Sequence, residues 1–282
     1  MQAFIFPGQG SQFKGMGGEL FNEFPELIAK ADTILDYSIK KLCLEDPHQQ
    51  LNHTQYTQPA LYTVNALTYF KKIQDTKIKP DFVAGHSLGE YNALLSSEVF
   101  DFETGLQLVK KRGELMSQAT GGAMIAVVGL KVATINDLLM HNDLMNVAIA
   151  NDNSHTQVVL SGAKEDITRA HRICEQSGAL MVVPLKVSGA FHSPYMQSAQ
   201  QQFQAFLDQF QFSPPLIPVI ANYTALPYTA GDVHQNLTQQ ITYPVRWTES
   251  IEYLLNQKGI EFQEIGAGTV LTGLVRRIKN SQ

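Results

Sequence analysis

The chain has 282 residues, 44% hydrophobic and 17% charged, with a formal net charge of -5 and two cysteines. This length holds one large domain or two modest ones, and the acidic balance excludes nucleic acid as the main partner, because no basic face is large enough to hold a phosphate backbone. Cys43 and Cys174 lie far apart and form neither a disulfide framework nor a metal-type pair; with no basic leader and no run approaching the ~20 apolar residues that span a bilayer, the chain is expected to be soluble and cytoplasmic.

In chain order, Ala3–Phe6 reads as a short strand that ends at Pro7-Gly8. Apolar periodicity predicts helices over 19–36 and 57–73. Asp81–Ala84 is a short apolar strand, Leu88–Leu95 is helix-compatible, and Phe102–Met116 reads as an amphipathic helix. From Gly121 to Val187 the elements shorten: strand 124–128, helix 132–140, strands 146–150 and 156–160, helix 166–177, strand 180–187. Strand-helix-strand-strand-helix-strand is the ferredoxin-like order. The expected architecture is therefore a large α/β domain made of residues 1–121 and 190–282, interrupted by a small subdomain at 122–189. Ile217–Ile220 and Phe262–Ile265 are its later strands.

Gly85-x-Ser87-x-Gly89 has the pattern of a nucleophile elbow, a sharp strand-to-helix turn that lifts a serine hydroxyl clear of the sheet. At frequencies near ~7% for Gly and Ser, chance alone gives the pattern in roughly one chain of this length in ten. Its setting between a predicted strand and a predicted helix is what strengthens it. The alternative is a serine that merely caps the helix.

An elbow needs a base and an oxyanion hole. Six of the eight histidines sit in polar stretches and read as surface residues. His86 is part of the elbow and is expected to pack beside the strand. His192 stands in the mostly small or apolar run 187–194 and follows the serine in the chain, as the base of a serine hydrolase does; a packed core histidine is the alternative. The backbone N–H of Leu88 is one oxyanion donor, and the Gly-rich loop Phe6–Gln12 can supply another. That loop lacks the third glycine or the lysine of a nucleotide-binding loop, and as an alternative it is only a tight turn.

On a helix at ~100° per residue, Leu108, Val109, Leu115 and Met116 all fall within about 60° of Arg112. An arginine centred on an apolar stripe has to find an anion. Either a protein Asp or Glu supplies it, or a substrate carboxylate does.

Together these residues resemble the malonyl-CoA:acyl carrier protein transacylase family. The resemblance runs from Phe6 to Ile278 and rests on Phe6–Gln12, Gly85–Glu90, Lys111–Gly113, 189–193, Tyr243–Trp247 and Leu271–Leu274. It implies an α/β-hydrolase-like core with a ferredoxin-like insert. It implies acylation of Ser87, general-base catalysis by His192, a backbone carbonyl at Gln240 orienting that histidine, and oxyanion donors at Gln9 and Leu88. Arg112 then binds the malonyl carboxylate, and Asn222 lies among the substrate-binding positions. Leu88 and Phe191 both match malonyl-selective members, a Phe ring filling the space a 2-methyl group needs. No cofactor or metal is implied beyond the substrates malonyl-CoA and a phosphopantetheinyl acyl carrier protein.

The short segment between Met116 and Met124, and a tail that stops soon after Lys279, resemble free-standing acyltransferases that serve polyketide synthase modules in trans. A fatty-acid-synthesis role is the alternative. A hydrolase with the same elbow is expected to lack Arg112, and a non-catalytic docking module to lack Ser87 or His192. Lys110, Lys111, Arg276, Arg277 and Lys279 read either as a surface for an acidic carrier protein or as ordinary solvated charge.

Overall fold

The computed structural model describes residues 1–187 and 189–281; residue 188, in the run around His192, and residue 282 lie outside the described residues. Among the described residues, nine strands form two sheets. β1 (Gln2–Phe6), β2 (Phe82–Gly85), β7 (Val219–Ile220) and β9 (Glu261–Glu264) make a parallel sheet in the order β7-β2-β1-β9. Ala3 to Phe6 are 0% exposed, which is why β1 is apolar at every position: a parallel strand is covered on both faces. Register pairs Phe6 with Gly85. The Gly-rich loop and the elbow therefore leave the same carboxyl edge side by side, the edge at which open parallel sheets bind ligands.

The second sheet holds β3 (Gly122–Val128), β4 (Ala148–Ser154), β5 (Gln157–Ala163), β6 (Met181–Pro184) and β8 (Val245–Arg246) in the order β6-β3-β5-β4-β8. The first four pair antiparallel, while β8 joins β4 in parallel. Helices Val132–His141 and Lys164–Gln176 supply its apolar cover. Because β8 comes from the C-terminal part of the chain, this sheet reaches outside 122–189. Thr248 strengthens that seam by donating to Asp152 Oδ1 at 2.7 Å.

Helix boundaries depart from periodicity in two places. The helix expected over 19–36 is two, Leu20–Glu23 and Pro25–Leu35. Pro25 has no N–H to continue the ladder and drives Phe24 out of the helical region. The helix expected over 57–73 runs Thr54–Thr76 and carries Pro59 inside it. It is buried along most of its length and packs against helices Gly89–Ser96 and Phe102–Ser117. Among the described residues, no helix is long and apolar enough to cross a membrane, and no group of three His, Cys, Asp or Glu is placed to hold a metal.

Candidate active site

The elbow is dictated by backbone crowding. A Cβ on Gly85 would lie 1.9 Å from the Gly89 carbonyl carbon, and one on Gly89 would lie 2.0 Å from the Phe6 oxygen. Between them Ser87 takes φ 50°, in the left-handed region, a conformation that survives only where the surroundings enforce it. Asn222 does much of the enforcing. Its Oδ1 accepts from Ser87 N at 2.7 Å and its Nδ2 donates to Gly85 O at 2.6 Å. Expected among the substrate-binding residues, Asn222 is instead 1% exposed, with both ends of its amide spent on the elbow backbone.

His192 Nε2 is 2.8 Å from Ser87 Oγ, and its Nδ1 is 2.7 Å from Gln240 O. A carbonyl can only accept, so Nδ1 carries the hydrogen and Nε2 presents a lone pair to the serine proton. The third member of this relay is a backbone oxygen. Burial, helped by the charge of Arg112, pushes the His192 pKa down to about 3, so the ring is neutral at ordinary pH. His86 packs as expected: its Nε2 meets Asn153 Oδ1 at 2.8 Å, and its ring lies edge-on to Trp247. His86 N donates to Phe6 O at 3.0 Å, tying the elbow to the Gly-rich loop. Among the described residues, the backbone N–H groups of Gln9 and Leu88 have no hydrogen-bond partner.

Arg112 is 1% exposed. Its Nη1 donates to Gln58 Oε1 at 2.8 Å, and its Nη2 donates to Gln240 Oε1 at 2.8 Å and Ser87 Oγ at 3.1 Å. The guanidinium stands 5.6 Å from the centre of the Tyr91 ring. No carboxylate of the described residues comes within 4.0 Å of it. Every partner is neutral, so a protein ion pair is not what holds this cation. Gln9, Ser87, Arg112, Met116, Phe191 and His192 line a cavity of about 80 Å³, room for a small acyl group. A cavity of about 200 Å³ shares Gln9, His86, Asn151 and Leu185 with it and runs between the Gly-rich loop, the second sheet and helix Val270–Lys279.

Three participants were not singled out from the sequence: Gln58, Glu90 and the side chain of Gln240. Glu90 is 0% exposed on a helix whose every residue is buried. The signal for it was a lone carboxylate beside the elbow among apolar and neutral neighbours. Nothing local marks the two glutamines.

The sequence profile of a family described as an acyl transferase domain matches residues 3–279. The chain is 57% identical over 280 residues to the polyketide biosynthesis malonyl CoA-acyl carrier protein transacylase PksC of Bacillus subtilis, covering 99% of this chain and 97% of that one. The crystal structure of a malonyl CoA-acyl carrier protein transacylase of Burkholderia pseudomallei superposes with a TM-score of 0.98 at 52% identity, covering 100% of this chain and 99% of that one. A malonyl-transacylase in complex with its type II polyketide synthase acyl-carrier protein gives 0.94 at 36% identity, covering 99% and 93%.

Proposed function

The chain belongs to the acyl transferase family, and on that premise we propose that it moves malonyl from malonyl-CoA to the phosphopantetheine thiol of an acyl carrier protein in polyketide synthesis. His192 Nε2 takes the Ser87 proton as Oγ attacks the thioester carbonyl. The N–H groups of Gln9 and Leu88 receive the oxyanion. Collapse expels the CoA thiolate, which regains its proton from His192. The carrier thiol then runs the same steps in reverse, leaving Ser87 free. This cycle balances with two substrates and calls for no cofactor, and it belongs in the cytoplasm, where CoA thioesters are made.

The observation that carries the reading is Arg112, buried, without a carboxylate partner among the described residues, and 3.1 Å from Ser87 Oγ. An uncompensated buried cation costs several kcal/mol, so the site suits an anion that arrives with the acyl group. Phe191 borders the same cavity and fills space beside the acyl C2, favouring malonyl over its 2-methyl homologue. The 200 Å³ channel, lined in part by Asn151, Asn153 and Gln157, suits an amide-bearing pantetheine arm. Arg276 and Arg277 lie exposed on the helix whose Val270, Leu271 and Leu274 line that channel, and Arg276 suits an acidic carrier protein, while Arg277 donates to Gln157 Oε1. Lys110 and Lys111 suit it less: Lys110 bonds Ile34 O at 2.8 Å and Lys111 lies over Phe206.

Intact-mass analysis after incubation with malonyl-CoA, then with candidate carrier proteins, tests this function. The expected result is a malonyl adduct on the enzyme that Ser87→Ala abolishes and that a carrier protein removes. An adduct retained in Ser87→Ala, or one released only to water, contradicts it.

A further inference from the structure

We propose that Glu90 is a positioning residue that sets the orientation of the Arg112 guanidinium through the side-chain amide of Gln240, and so governs preference for a charged acyl group. The proposal rests on Arg112 being the malonyl clamp. Glu90 Oε1 accepts from Asn222 N at 2.9 Å and from the Tyr228 hydroxyl at 2.7 Å. Its Oε2 accepts from Gln240 Nε2. Gln240 Nε2 also donates to Ser87 O at 2.9 Å, while Gln240 Oε1 accepts from Arg112 Nη2 at 2.8 Å.

The polarity of this chain is fixed at one end. A backbone N–H only donates, and with the Tyr228 hydroxyl donating as well both lone pairs of Oε1 are occupied, so an added hydrogen goes to Oε2. Oε2 must then also accept if Gln240 is to turn its NH₂ toward Glu90 and its oxygen toward Arg112. A hydrogen placed on Oε2 sets two donors face to face. The Gln240 amide relieves the clash by turning over. Its NH₂ then confronts Arg112, which also only donates, and Ser87 O loses its side-chain partner. One proton on Glu90 is thereby felt at the guanidinium. Gln240 also keeps the carboxylate and the guanidinium from pairing directly, which leaves the positive charge available to substrate.

The ionisable groups facing Glu90 are Tyr91 beside it on the helix, Arg112 on the neighbouring helix, and Tyr228. Burial raises its pKa to about 7, against the opposing pull of its hydrogen bonds and of Arg112. His192 shares Gln240 through the backbone carbonyl but is held down at about 3, so it supplies no titration near neutrality.

The test follows Ser87 loading from malonyl-CoA and acetyl-CoA between about pH 5.5 and 9 in wild type, Glu90→Gln and Tyr228→Phe. The malonyl-to-acetyl ratio cancels chemistry common to both acyl groups. In wild type the ratio should rise with pH through about 7. Glu90→Gln places an NH₂ where Oε2 stood, so its ratio should stay flat and, at the alkaline end, lie about 10-fold or more below wild type, the scale of one charge-assisted hydrogen bond. Tyr228→Phe removes a donor that favours the carboxylate, so the rise should move to higher pH. A wild-type ratio in Glu90→Gln, or a rise that Tyr228→Phe leaves in place, overturns the proposal. If Glu90→Gln does not fold, the Tyr228→Phe profile decides alone. Wild-type enzyme that loads no malonyl at any pH overturns the malonyl transfer itself, whereas malonyl loading with an unresponsive ratio overturns only the role of Glu90.

Discussion

Two side chains at the site owe their chemistry to burial. Arg112 is held by Gln58, Gln240, Ser87 and the Tyr91 ring. Arg112→Ala relieves the cost of burying a cation that has no directly bonded carboxylate, and this gain offsets the loss of those bonds and of the more distant attraction to Glu90, so the melting temperature should change little. Malonyl loading should fall by about 2–5 kcal/mol in transition-state terms, with acetyl loading much less affected. Loading rates with both thioesters check this, and equal losses would remove Arg112 as a clamp. His192 has its folded pKa depressed to about 3, chiefly by burial. The unfolded chain therefore binds a proton below about pH 6.5 that the folded chain refuses. The stability this ring supports is present above that pH and is lost as pH falls toward the folded value, by up to about 1.4 kcal/mol per unit. The stability advantage of wild type over His192→Ala should be greatest above neutrality and shrink on acidification. Denaturation of both proteins across that range measures it.

At the scale of elements, the turns are governed by steric demands that a sequence displays and the helices by packing that it displays only partly. Gly89 is legible because Gly-x-Ser-x-Gly is written in the chain, and the structure gives the reason in the 2.0 Å approach of its absent Cβ to Phe6 O. Gly89→Ala should cost about 1–3 kcal/mol, since backbone has to move, and should abolish acylation. Gly273, in the helix Val270–Lys279, has nothing within 4 Å of its ideal Cβ, so Gly273→Ala should gain about 0.5–1 kcal/mol. Urea midpoints of the two variants should move in opposite directions. Helix lengths were less legible. Pro25 divides one expected helix, while Pro59 lies inside another without ending it, because that helix is held by neighbours packed around it.

At the scale of the whole molecule, the catalytic loop sits on a seam between the two sheets. A Cβ on Gly122, at the start of β3, would lie 2.3 Å from Ala190 N, two residues before His192. Gly122→Ala should displace that loop and reduce malonyl and acetyl loading alike, in contrast to the selective loss from Arg112→Ala; a selective loss here would mean the shift is felt at the acyl pocket through Phe191 and not at His192. By itself the sequence determined the α/β alternation, the elbow at Ser87 and the anomalous Arg112, because each follows from local spacing or from a charge on an apolar stripe, and it set His192 apart from the other histidines by the small and apolar run around it. Only the tertiary structure decided that Arg112 meets Gln58 and Gln240 instead of a carboxylate, that Asn222 clamps the elbow, that Glu90 stands behind Gln240, and that β8 extends the second sheet. Those contacts join residues up to 150 positions apart, and hydrogen-bond partners at such separations leave no periodicity along the chain.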